Sequence, residues 1–206
     1  MSLLAPLLGL IEEKGRGPSP SFTSAHLVLT FLAIGDRGTV GRYALARHAG
    51  LGDGAVRTVL KKLRESGYLK VSASGCSLTN SGQALYRRVR ARLIGAVSLE
   101  HSPFTLGNKQ AAMLVRRGGA SVHSGIEQRD SAMRIGAMGA TTYVVKGSKF
   151  SIPGGSSDCE REFPSPAWRR LRAELSPEEG DALVLCGSDN PTISKLGAVA
   201  AALTLV

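Results

Sequence analysis

Residues 54–66 constrain this chain more than any other stretch. Val56, Val59, Leu60 and Leu63 recur at helical spacing and give one apolar face, while Arg57, Thr58, Lys61 and Lys62 fall on the opposite one. Gly67 suits the left-handed stop of such a helix. Two short runs, 68–72 and 76–78, then flank Ala73-Ser74-Gly75 and predict a tight hairpin. A helix this short is marginal in isolation, so its apolar stripe must be covered by neighbouring elements. Upstream, Leu27, Phe31 and Ile34 predict a helix over 23–35. Residues 42–48 predict another, closed by Gly50, with Thr39-Val40 suited to a very short strand. Residues 51–53 read as a turn, and 79–94 as a further helix rich in arginine.

Helix, short strand, helix, turn, helix, hairpin is the layout of a winged helix-turn-helix. The run LGDGAVRTVLKKLRESGYL (51–69) resembles the recognition helix and following turn of bacterial and archaeal winged-helix regulators. Leu78-Thr79-Asn80-Ser81-Gly82 resembles the LTxxG step that opens the post-wing helix of MarR-like proteins. The resemblance covers about residues 23–95. It implies that the helix at 54–66 enters the major groove of double-stranded DNA while the preceding helix crosses the backbone. Gly54 and Ala55 would let the helix approach base edges closely. Arg57 is the expected base reader, because a guanidinium pairs bidentately with guanine. Lys61, Lys62 and Arg64 are expected on phosphates, and Arg42, Arg47, Ser72 and Ser74 at the backbone. Read alone, the same strip is also what any solvated helix face carries. The short wing has no charge at its tip, so use of this surface for docking a protein stays open as an alternative.

Charge distribution favours the nucleic-acid reading. The chain's net charge is +10. Residues 1–98 hold 14 Lys and Arg against 5 Asp and Glu, whereas 99–206 hold 12 against 11. Almost all the excess therefore lies in the first half, as expected of a domain with a polyanionic partner. The expected organisation is two domains, 1–98 with the winged helix and 99–206 with a sensor or dimerisation role. Three cysteines without metal spacing indicate neither a disulfide framework nor a zinc site, and fit a reducing cytoplasm. The apolar opening, residues 1–11, lacks a basic leader and reads as a short amphipathic helix. Residues 196–206 are too few to span a bilayer, which takes about 20. No membrane association is expected.

The second half alternates strand and helix signals: strands at 111–117 and 182–186, a hairpin over 141–152 turning at Gly147-Ser148, and helices at 124–136, 168–175 and 191–205. Residues 153–166 read as a loop. The fold class is α+β, a winged helix followed by an α/β domain with a small mixed sheet. Ser124-Gly125-Ile126-Glu127 has the pattern of a capping box. GIEQRDSAMRIGAMGATT (125–142) and PEEGDALVLCGSDN (177–190) resemble the C-terminal domain, of no settled function, found in archaeal winged-helix transcriptional regulators. That resemblance implies transcriptional regulation and carries over no binding residues. Gln128, Arg129, Asp130, Ser188 and Asn190 are candidates for a small-molecule effector site, against a capping, packing or dimer role for the same residues. Cys186 before a Gly-Ser turn reads as a buried structural thiol rather than a nucleophile. With no catalytic or metal motif among the four histidines, the expectation is a non-enzyme without a cofactor, acting as a homodimeric DNA-binding regulator.

Overall fold

The winged-helix half is organised by how each helix stops. The structure, a computed structural model, describes residues 4–12, 21–100 and 102–206. The Gly/Pro/Ser run at 15–20 lies outside the described residues, as do residues 13 and 14, the first three residues and His101. Helix α1 (Ala5–Glu12) precedes α2 (Ser24–Arg37), whose apolar run from Leu27 to Ile34 is buried throughout. The one polar residue in that run, Thr30, donates its hydroxyl to the His26 carbonyl at 2.7 Å. Val40 then forms an isolated bridge to Cys76, in place of a strand, and α3 (Arg42–Ala49) ends at Gly50 in the left-handed region.

Helix α4 (Asp53–Glu65) buries Val56, Val59, Leu60 and Leu63, the apolar set expected of it. Each such side chain contributes about 1.5–3 kcal/mol by leaving water. The helix ends in a Schellman motif: Gly67, at φ 76°, donates to the Arg64 carbonyl, and Tyr68 N–H reaches back to Leu63 O at 2.9 Å. That reversal launches the hairpin β1 (Leu69–Ser72) and β2 (Gly75–Leu78), with Ser72 opposite Gly75 across a two-residue turn. Thr79 locks the exit. Its hydroxyl donates to Gly67 O at 2.6 Å and accepts from Gly82 N–H at 3.0 Å, opening α5 (Asn80–Arg90). A Cβ on Gly82 would lie 2.1 Å from the Tyr68 carbonyl oxygen, so the LTxxG step requires its glycine for space. At the far end of α5, Tyr86 donates to Asp36 at 2.6 Å, and Arg90 pairs with the same carboxylate.

Compact units run Met1–Arg90 and Ala91–Val206, so the boundary lies eight residues before the expected 98/99. The reason is a strand, β3 (Leu93–Glu100), where a helix was expected to continue to residue 94. After it come β4 (Lys109–Val115), α6 (Ile126–Arg134), β5 (Gly139–Lys146), β6 (Lys149–Ser151), a short α7 (Cys159–Glu162) inside the expected loop, α8 (Pro166–Leu175), β7 (Ala182–Ser188) and α9 (Pro191–Ala202). The fold is α+β. Sheet order is β3-β4-β7-β5-β6 and every pairing is antiparallel, so the sheet is not the mixed one expected. The crossover β4-α6-β5 skips one position, and β7 fills the gap running the opposite way.

Both faces of that sheet are covered. Leu183 and Leu185 of β7 point to a core with Phe104, Tyr143, Phe150 and, from α8, Trp168, Leu171 and Leu175. On the opposite face α9 packs so closely that a Cβ on Gly197 would meet the Cys186 sulfur at 2.4 Å. Trp168 lies at the centre of the aromatic group, 4.1 Å from the Phe104 ring centroid and 5.0 Å from that of Phe150, with Nε1 donating to Phe163 O. The capping box expected at 124–127 does not form. Gly125 takes the left-handed region as the residue before α6, and Ser124 Oγ accepts from Ile126 N–H at 3.4 Å instead. Among the described residues no helix is long and apolar enough to cross a membrane.

Candidate nucleic-acid interface

The apolar set of α4 faces inward, and this turns its cations outward. Helix α4 and the hairpin β1–β2 leave a groove of about 450 Å3 between them, lined by Arg42, Arg57, Leu60, Lys61, Arg64, Val71, Ser72, Gly75 and Cys76. Its floor is apolar and its rim carries four cations. Residues 57, 61 and 64 lie on one side of α4 because i, i+4 and i+7 repeat with the helix turn. Arg42 joins them from the first turn of α3.

Within this rim the charges are arranged rather than dispersed. Arg57, 62% exposed, donates to Asp53 Oδ2 at 2.7 Å, one turn earlier on the same helix. Arg42 reaches the other oxygen of the same carboxylate at 3.2 Å, and its guanidinium lies 4.8 Å from the ring centroid of Tyr43. Tyr43 is itself 70% exposed. Lys61 approaches Glu65 at 3.8 Å, a loose surface pair worth a few tenths of a kcal/mol, about 0.3–0.5. Burial pushes the Cys76 thiol up against the opposing pull of Arg42, so the groove floor stays uncharged.

The residues expected at such an interface divide by position. Arg57, Lys61 and Arg64 line the groove from α4, with Arg42 and Ser72 from the neighbouring elements. Gly54 is exposed with open space where a Cβ would stand, and Ala55 beside it is half-buried. Thr58 is exposed, but its hydroxyl donates to Gly54 O at 3.0 Å. Lys62 is half-buried and, like Arg47 in the last turn of α3, does not line the groove. Ser74, exposed at the wing tip, shares a 2.8 Å hydrogen bond with Ser72. Asp53 and Tyr43 were not anticipated. Asp53 falls among the residues that read as a turn, although its i,i+4 spacing to Arg57 is a readable sign of a helical ion pair.

In the second unit the candidate effector residues have local partners. Gln128 is 1% exposed and donates to Thr204 Oγ1 at 2.7 Å. Arg129 and Asp130 pair with each other at 3.2 Å on the surface. Ser188 Oγ accepts from Asn190 N–H, and Asn190 Oδ1 caps α9 by accepting from Thr192 and Ile193. The Cys186 thiol is buried and pushed up to about 12 by desolvation. Among the described residues no three His, Cys, Asp or Glu gather closely enough to hold a metal ion.

Residues 106–205 match the model of a domain of unknown function (DUF4443). This agrees with the resemblance expected over most of 100–206, and spans β4 to the end of α9. Among solved structures, hypothetical protein PH0730 from Pyrococcus horikoshii OT3 superposes with a TM-score of 0.74 at 21% identity, over 90% of this chain and 93% of that one. That likeness is one of fold, and it extends across both units. A MarR family protein, Rv2887 from Mycobacterium tuberculosis, aligns at 24% identity over 43% of this chain and 63% of its own, with a TM-score of 0.31, too loose to bear on fold or function. No curated protein matches by sequence.

Proposed function

We propose that the first unit binds double-stranded DNA by laying α4 in the major groove, and that the chain is a transcriptional regulator rather than an enzyme. The observation that carries this is the groove beside α4, where Arg42, Arg57, Lys61 and Arg64 converge on one outward face. Those four cations belong to a unit holding 13 Lys and Arg against 5 Asp and Glu. Duplex DNA is the partner whose shape and charge both match. Its major groove admits a helix, its phosphates take the cations, and a base edge takes Arg57, in the second turn of α4. The apolar floor at Leu60 and Val71 offers contact to sugars or a thymine methyl. As a homodimer the protein would read two half-sites about one helical turn, or about 34 Å, apart.

A binding titration of the full chain against a random-sequence duplex, repeated across salt concentrations, tests the reading. Three to four cations on phosphates give a log–log slope of about −3 to −4. Selection from a duplex library should then enrich a guanine-containing site, and Arg57→Ala should relax preference at one position by about 1–3 kcal/mol. A salt-independent titration, or selection that enriches nothing, would remove the proposal.

A further inference from the structure

We infer that Asp53 is a specificity-determining residue of this interface, a carboxylate that orients Arg57 and penalises contacts with the wrong base. The inference rests on the DNA-binding reading and deepens it. An acidic side chain on the helix face turned toward a polyanion costs affinity through repulsion, so charge alone gives it no place there. Its geometry supplies the reason. Each carboxylate oxygen holds one guanidinium, Oδ2 that of Arg57 at 2.7 Å and Oδ1 that of Arg42 at 3.2 Å. The carboxylate sits in the first turn of α4, where the helix dipole favours a negative charge. It is 47% exposed, so it remains accessible to a ligand after both pairings.

Two consequences follow for recognition. A guanidinium has five N–H donors, and one bond to Asp53 leaves Arg57 enough to pair with guanine N7 and O6. Held this way, its planar fork loses less freedom on docking than an unrestrained arginine would. Asp53 meanwhile presents only acceptors. It can take a hydrogen bond from the amino group of cytosine, but it meets the O4 of thymine or the O6 of guanine as a repelling pair of acceptors. The first residues of a recognition helix are those that contact base edges, and Asp53 is the first of α4. The site so recognised pairs a guanine at Arg57 with a base amino group, that of cytosine or adenine, at Asp53. Without the carboxylate, Arg42 and Arg57 would be released to phosphates of any sequence.

The test compares the full-length protein with Asp53→Asn, Asp53→Glu, Arg57→Ala and the Asp53→Asn/Arg57→Ala double variant. Each is titrated against the duplex recovered by selection and against a scrambled duplex of equal length. Asp53→Asn should tighten binding to the scrambled duplex, steepen its salt slope by about one, and lower the ratio of specific to non-specific affinity about tenfold. Asp53→Glu, which keeps the carboxylate, should retain most of that ratio. In the Arg57→Ala background the Asp53→Asn effect on the ratio should shrink to about twofold or less, because the two residues act as a unit. Thermal melting of each variant establishes that the fold persists. Equal tightening on both duplexes, or a ratio that does not move, overturns the role of Asp53 while leaving DNA binding intact. Wild-type protein that binds neither duplex overturns the DNA-binding reading and this inference with it.

Discussion

The two units carry the same number of cations and use them in opposite ways. Met1–Arg90 and Ala91–Val206 each hold 13 Lys and Arg, but the first has 5 acidic residues and the second 11. In the second unit those acids pair the cations locally: Arg172 with Glu160, Lys149 with Asp158 at 2.9 Å, Arg170 with Glu174 at 2.6 Å, and Arg116 with Asp181 at 2.6 Å. In the first unit, α3 and α4 gather four cations around an open groove; Asp53 arranges two of them, and Glu65 lies 3.8 Å from a third, Lys61. Basic composition by itself therefore says little about a partner. The proportion of acid beside it, and its direction on a helix, say more.

The largest expected effect tests this contrast directly. Reversing Arg57, Lys61 and Arg64 together to Glu should weaken DNA binding at least about 10³-fold, because three phosphate or base contacts are lost and three repulsions added. The melting temperature should stay within a few degrees, since all three side chains are exposed. Reversing Arg134, Lys146 and Arg169, which are exposed on the second unit, should leave binding within about threefold, since none of them lines the groove. Similar losses from the two triples, read by fluorescence anisotropy, would break the comparison.

A second expectation concerns stability and belongs to the second unit. Asp181 is 1% exposed and accepts from Arg116 at 2.6 Å, from Arg117 N–H at 2.9 Å and from Glu178 N–H at 2.8 Å. The carboxylate ties the end of β4 to the turn before β7. Asp181→Ala leaves two amides without their acceptor and leaves Arg116 only the Ser176 carbonyl at 2.9 Å and Glu178 at 3.6 Å, and should cost about 3 kcal/mol in urea unfolding, the low end for a broken buried pair because Arg116 keeps these partners and remains 20% exposed to water. A cost under about 1 kcal/mol would show the second unit's pairs to be as incidental as exposed ones.

What could be read from the sequence follows the range of the interactions. Helix α4, its stop at Gly67, the hairpin and the Thr79 step are encoded within five to twelve residues, and all are found where local periodicity and capping place them. Strand β3 was missed because its first half does not alternate. A register shift between Gly95 and Val97, with Ala96 at φ 113°, breaks the pattern, and only Val97 and Leu99 show the period of two. The antiparallel sheet was equally hidden, because the insertion of β7 between β4 and β5 is decided about 40–80 residues away from its partners. For the interface, the strip of cations was legible from helical spacing alone. The groove was not, since Val71, Ser72 and Cys76 reach it only through the hairpin, and Arg42 only through the packing of α3.

The smallest expected effect sharpens the comparison at two of the three thiols, Cys76 in the first unit and Cys186 in the second. Cys186, in the sheet core, has its ionisation raised from 9.0 to about 12 by burial, whereas Cys76 at the groove floor is also raised but with Arg42 pulling it down. Folding thus favours the protonated Cys186. Below pH 9 the thiol is neutral in folded and unfolded chains alike, and its burial adds its full stabilisation. Between about 9 and 12 the unfolded chain loses a proton that the folded one keeps, so stability falls by about 1.4 kcal/mol per pH unit from this group. Urea unfolding of wild type and Cys186→Ala at pH 8, 9.5 and 10.5 isolates the contribution as the difference between their slopes. Cys186→Ala should be less stable at pH 8, having lost packing against Gly197, and the gap should narrow as pH rises. A gap that stays constant to pH 10.5 would mean that the thiol ionises within the fold, and that the core around β7 is as open to water as the groove beside α4.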